Sequence, residues 1–138
     1  MTALLDLGLP HRHYLTLPTR PGAVRLARET AELALAEWGV DAHHPAVGPA
    51  LLVLSELVAN SVRHAAPLSS QVTVSYGAGP GRLAFAVHDL HPGLPPLREA
   101  TSGGLATVRE LVLGLGGTAV VRPDADGRGK SVGVSLPL

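Results

Sequence analysis

The chain contains no cysteine, which excludes disulfides, thiolate metal ligands and a cysteine nucleophile and fits a reduced, cytoplasmic setting. Aromatic residues are scarce, at 3%, and the 11 Lys and Arg are balanced by 11 Asp and Glu, for a formal net charge of zero. With no basic stripe to neutralise phosphates and few rings for base stacking, nucleic acid is not an expected partner. No apolar run approaches the roughly 20 residues that span a bilayer, so no membrane association is expected. The opening residues, Met1-Thr2-Ala3-Leu4-Leu5-Asp6-Leu7, have neither the basic region nor the long apolar segment of a signal peptide. What the chain does have is 138 residues with 46% hydrophobic content, enough for one globular domain with a substantial core. There is no internal repeat and no sign of a second domain.

Hydrophobic periodicity lays out the elements. His13 to Leu17 alternates as a first strand, and Thr19-Arg20-Pro21 places a capping residue ahead of a proline suited to a first helical turn. Val24, Ala27, Ala31, Ala34, Leu35 and Trp38 then recur at helical spacing up to the stop signal Gly39. A second helix starts between Pro45 and Pro49 and ends near Ala66-Pro67. Gln71 to Tyr76 and Arg82 to His88 read as a hairpin around the turn Gly77-Ala78-Gly79-Pro80-Gly81. A third helix, Leu105 to Leu115, stops at Gly116-Gly117, and strands Thr118 to Arg122 and Lys130 to Leu136 flank the turn Asp124-Ala125-Asp126-Gly127. The expected fold is α+β: a two-layer sandwich whose mostly antiparallel sheet is covered on one face by about three helices.

Chemistry concentrates on the second helix. Within Leu54-Ser55-Glu56-Leu57-Val58-Ala59-Asn60-Ser61-Val62-Arg63-His64, an acid, an amide and an imidazole are spaced four residues apart. A four-residue step turns about 40° and rises roughly 6 Å, so Glu56, Asn60 and His64 form a slanting polar line. Leu51, Leu54, Val58, Val62 and Ala65 commit the opposite side to the core. A solvated helix face carries such pairs too. The chemical alternative is metal-assisted phosphate chemistry, in which the Asn60 amide oxygen takes one Mg²⁺ position and the Glu56 carboxylate accepts a proton from an attacking hydroxyl or water.

Three further motifs follow in order: His88-Asp89-Leu90-His91-Pro92-Gly93-Leu94-Pro95, then Ser102-Gly103-Gly104-Leu105 opening a helix, then Gly127-Arg128-Gly129-Lys130-Ser131-Val132-Gly133-Val134. From about residue 13 to the end, this series resembles the ATP-binding domain shared by gyrase, heat-shock chaperones, histidine kinases and mismatch-repair ATPases. Within that superfamily the short chain, the early Glu-x-x-x-Asn helix and the Gly-Lys-Ser-Val ending are similar to the anti-sigma-factor serine/threonine kinases of actinobacterial type.

The resemblance implies a Bergerat-type fold, with residues 1–12 as an N-terminal extension and 13–138 as a single ATP-binding domain. It implies ATP and Mg²⁺ as cofactors, Glu56 as catalytic base and Asn60 as the metal-holding amide. Asp89 takes the place of the aspartate that accepts from the adenine amino group, and Gly93, followed by Leu94, the place where backbone approaches the base. His91 departs from the family, which usually carries glycine there. Thr101, Ser102, Gly103, Gly104 and Leu105 fall at the phosphate loop, where Ser102 replaces the usual first glycine and its hydroxyl remains able to donate to a phosphate. Lys130 and Ser131 fall in the closing motif that supports the base pocket, and His64 and Arg63 face either the phosphates or their own helix's C-terminus. The implied partners are a small anti-anti-sigma protein as phosphoacceptor and a sigma factor, with homodimerisation. A histidine kinase needs a dimerisation helix with a phosphoacceptor His, for which this sequence shows no upstream segment. The altered positions Ser102 and His91 motivate a different class, a regulatory module that binds ATP, or only a protein partner, without turnover.

Overall fold

Two-residue alternation along the strands sorts side chains onto two unlike sheet faces. The computed structural model of the protein describes residues 9–100 and 102–138. Its strands are β1 (His11–Pro18), β2 (Gln71–Gly79), β3 (Arg82–Asp89), β4 (Thr118–Pro123) and β5 (Lys130–Pro137). They form one sheet in the order β1-β2-β3-β5-β4, each neighbour antiparallel. Val72, Val74, Tyr76, Leu83, Phe85, Val87, Val132, Val134 and Leu136 form the apolar face, and helices α1 (Gly22–Glu37), α2 (Val47–Ala65) and α3 (Gly103–Gly114) pack on it. This is the expected α+β sandwich, with its helices on one face.

Helix α2 is the centre of the core. Val47, Ala50, Val53, Leu54, Leu57, Val58, Ser61 and Ala65 are its buried positions, a stripe broad enough to meet α1, α3 and the sheet together. Each fully buried Leu or Val contributes about 1.5–3 kcal/mol by leaving water. Leu51 and Val62, expected on this core side, are partly buried and pack against it. Tyr76 ties the layers together: its buried hydroxyl donates to the Ala27 carbonyl of α1 at 2.8 Å, and its ring meets Phe85 edge-on with centroids 5.8 Å apart. Burial pushes the Tyr76 phenol above its ordinary pKa, because ionisation there would strand a charge away from water.

Three local expectations are corrected. The β2–β3 turn shrinks from five residues to Pro80-Gly81, because Gly77 and Ala78 pair with both β1 and β3, and burial of Ala78 outweighs the poor strand preference of these small residues. Strand β1 begins at His11 rather than His13, since His11 and Arg12 extend the ladder opposite Ala78 and Gly77. Thr19 does not cap α1: the chain already turns helical at Pro21, no side chain caps that end, and the Thr19 hydroxyl is buried without a partner.

Candidate functional site

Strand register brings the polar residues of β3 and β5 under α2. Asp89, last in β3, lies opposite Lys130, first in β5. The Asp89 carboxylate is 2% exposed and accepts three hydrogen bonds. Its Oδ1 takes Lys130 Nζ at 2.5 Å and the His91 backbone N–H at 3.0 Å, and its Oδ2 takes the Ser61 hydroxyl of α2 at 2.7 Å. Lys130 Nζ also donates to the His91 carbonyl at 3.1 Å. Donors on a helix, a loop and a strand therefore hold one buried carboxylate in place, which is the arrangement a buried charge requires.

Above it opens a cavity of about 390 Å³. Of the residues singled out in the sequence, Asn60, His64, Asp89, Gly93, Leu94, Leu105 and Lys130 line it, joined by His91, Pro95 and Pro96. Leucine and proline side chains make its walls and an ion pair makes part of its floor. Apolar walls around a few fixed polar groups suit a flat heterocycle with a hydrogen-bonding edge. The space beside Gly93 is filled by the His91 ring, whose Nδ1 accepts the Gly93 N–H at 2.9 Å.

The start of α3 forms the second half of the site. Gly103 has φ +76°, a conformation that residues with a Cβ rarely adopt, and it swings the chain into the helix. Gly104 lies close under α2: a Cβ there would fall on the end of the Glu56 side chain, which would have to swing aside, and come near the Arg63 guanidinium. Ser102 is extended, exposed and makes no capping bond with its hydroxyl. Glu56, Arg63 and the first turn of α3 thus meet beside the cavity, with Asn60 linking the two halves along α2. Among the described residues, neither Glu56 nor Asn60 has a side-chain hydrogen bond or ion pair. The uncompensated N–H groups at the start of α3 favour an anion.

Gly104→Val tests the close approach. Displacing the end of the flexible Glu56 side chain is expected to cost about 0.5–1 kcal/mol, read as a slightly lower urea midpoint, and Glu56→Ala in the same chain should recover part of it. An unchanged midpoint would show that α2 and α3 do not depend on this contact.

Ser131 stands apart. One residue beyond Lys130, it pairs with His88 and Arg122 on the opposite sheet face, its hydroxyl buried without a partner. Thr101 lies outside the described residues.

The model of the histidine kinase-, DNA gyrase B- and HSP90-like ATPases matches residues 48–138, from α2 to the end of β5. The chain belongs to this ATPase family. A solved structure similar to it is the histidine kinase domain from the Erythrobacter litoralis EL346 blue-light activated histidine kinase, with 29% identity and a TM-score of 0.56. The likeness covers 67% of this chain and 45% of that one, so the present chain accounts for less than half of that structure. Among curated proteins, none matches in sequence. As a domain of this ATPase family the protein is an ATP-binding domain, and the cavity and the start of α3 are its candidate base and phosphate regions.

The sequence reading did not assign the groups that hold Asp89 in place, the Ser61 hydroxyl and the His91 backbone. Ser61 was legible in principle, being a polar residue at a core position of α2, four after Leu57. His91 stood out only as a departure, and its role as the donor and acceptor that frames Asp89 and Lys130 depends on the loop's path. Between β3 and α3, Leu97 is buried and Arg109 donates to the Arg98 carbonyl at 3.0 Å. Among the described residues no three His, Cys, Asp or Glu converge to hold a metal, and no helix is long and apolar enough to cross a membrane.

Proposed function

We propose that this ATPase-family domain is a serine/threonine protein kinase of the anti-sigma-factor type, acting on a hydroxyl of a small anti-anti-sigma-like protein. The observation that carries the reading is Glu56, a half-buried carboxylate without a partner among the described residues, set against the first turn of α3 and one helical turn from Asn60. A hydroxyl must lose its proton to attack, and Glu56 is the group placed to take it. The hydroxyl oxygen then bonds to the γ-phosphorus of ATP, the bond to the β–γ bridging oxygen breaks, and ADP leaves. Asn60 would offer one oxygen to Mg²⁺, an ion that offsets phosphate charge in such reactions. With no three-carboxylate or histidine cluster among the described residues, the nucleotide's own phosphates would supply further positions.

A binding module without turnover is the second reading, favoured by Ser102 at the usual place of a glycine. Titration with Mg·ATP separates the two from a nucleotide-free domain. A ligand that binds only the folded state must stabilise it, by about 2.7 kcal/mol at one hundred times Kd, so the thermal midpoint should rise. Labelled phosphate appearing on a hydroxyl of an added anti-anti-sigma-like protein supports the kinase. Stabilisation without transfer would favour a module that holds ATP, and no stabilisation at millimolar nucleotide would overturn the kinase and leave a module that binds only a protein partner.

A further inference from the structure

An open sheet ends in strands with a free edge, where unpaired backbone groups are a template for another chain. β4 is such a strand: it stands last in the sheet and pairs with β5 alone. The turn between them fixes the phase of that pairing. The Asp124 N–H donates to the Gly129 carbonyl at 2.9 Å, in the same register as the strands. Hydrogen-bonded pairs recur at every second residue of an antiparallel ladder, so Arg122, Val120 and Thr118 bond to β5. Ala119 and Val121 turn their N–H and C=O groups to the free edge, and among the described residues nothing bonds to them there.

Cavities lie on both sides of this strand. Ala119 and Val121 pack toward the core, so Thr118, Val120 and Arg122 lie on the sheet face turned away from the helices. There a cavity of about 330 Å³ is bordered by these three and by Arg82 of β3. On the helix side are two cavities of about 300 Å³ each, one between β4 and residues 94–99, the other against Val112 and Leu113 of α3. Val120 is 41% and Leu113 68% exposed, which leaves apolar surface open along both sides of the edge. The charged residues bordering the three cavities are Arg82, Arg98, Arg109 and Arg122 against Glu99 alone, in a chain of zero net charge. Among the described residues the side chains of Arg82, Arg98 and Arg122 have no hydrogen bond or ion pair.

We infer that the free edge of β4 docks an extended acidic segment of a partner protein, which joins the sheet as a further strand. Backbone pairing with Ala119 and Val121 supplies affinity, and alternate side chains supply specificity. Residues of that segment opposite Thr118, Val120 and Arg122 share a face with Arg82 and Arg122 and are acidic. Those opposite Ala119 and Val121 fall on the helix side, near Leu97, Val112 and Leu113, and are aliphatic. A second copy of the chain fits this edge less well, because pairing two β4 strands sets arginines of like charge against each other. A nucleic acid has no donors and acceptors at strand spacing.

The probe is a labelled peptide of alternating glutamate and valine, slightly longer than the six residues of β4. Titrated into the intact chain, it should bind saturably by fluorescence anisotropy and slow amide hydrogen exchange at Ala119 and Val121. Val120 and Arg122, already bonded to β5, should change little. N-methylation of its valines removes the N–H groups that face β4 and should weaken binding about tenfold or more. N-methylation of its glutamates, whose N–H groups face solvent, should change it less than about threefold. Arg82→Gln with Arg122→Gln, both exposed positions, should weaken binding at least about fivefold and reduce its salt dependence. Equal binding of the two N-methylated peptides would show anion attraction without strand pairing and would overturn the inference. So would displacement of the peptide by an oligonucleotide of equal charge, or absence of binding at millimolar peptide. Protection of Ala119 and Val121 that rises with protein concentration alone would assign the edge to a second copy and overturn it too.

Discussion

Asp89→Ala is expected to lower folding stability by about 3–5 kcal/mol, the usual result of removing one member of a buried ion pair. The loss is large because the substitution strands other groups. Lys130 is 6% exposed and its ammonium keeps only the His91 carbonyl, while the Ser61 hydroxyl and the His91 N–H lose their acceptor. Each stranded polar group bears its own desolvation cost. Saturable nucleotide binding should vanish in the same variant, since the acceptor on the cavity floor is gone. Urea unfolding gives the first quantity and calorimetric titration the second. Asp89→Asn keeps the shape and one acceptor oxygen and should fall between the two. A stability change under 1 kcal/mol in Asp89→Ala would mean that the three hydrogen bonds do not hold the carboxylate in solution.

Glu56→Gln is expected to slow phosphoryl transfer by about 10²–10⁴-fold, the range supplied by a positioned general base. Nucleotide affinity should stay unchanged. The amide preserves the shape that packs against Gly104, and Glu56 does not line the base cavity, so binding and chemistry are separable at this residue. A fall in transfer at constant affinity, measured with labelled ATP alongside titration, supports the role. A normal transfer rate in the variant would remove Glu56 as the base and leave the site as a binding centre.

Much of the architecture was legible before any coordinates. Five strands and three helices were readable from periods of two and 3.6, because each element buries one face and so carries that period in its side chains. The Glu56, Asn60 and His64 line was readable for the same reason: helix geometry alone puts those residues on one face. The errors fell where tertiary contacts overrule local preference. Gly77 and Ala78 look like a turn in isolation and become strand because two neighbouring strands pair with them. Thr19 looks like a cap, and the chain turns helical two residues later.

The site divides along the same line. Motif order and residue types carried the resemblance to the ATPase family, and that resemblance pointed to Asp89, Lys130 and the glycines that open α3. Their relations were not contained in either. Asp89 and Lys130 are forty-one positions apart, and only antiparallel pairing of β3 with β5 makes them partners while turning Ser131, the next residue, to the opposite face. Likewise, only the packing of α3 against α2 sets Gly104 against the carboxylate of Glu56. The sequence by itself determined the elements, the sandwich and the cast of polar residues, because those depend on periodicity and side-chain chemistry. The tertiary structure decided which of them touch, because register and helix packing act between segments far apart in the chain.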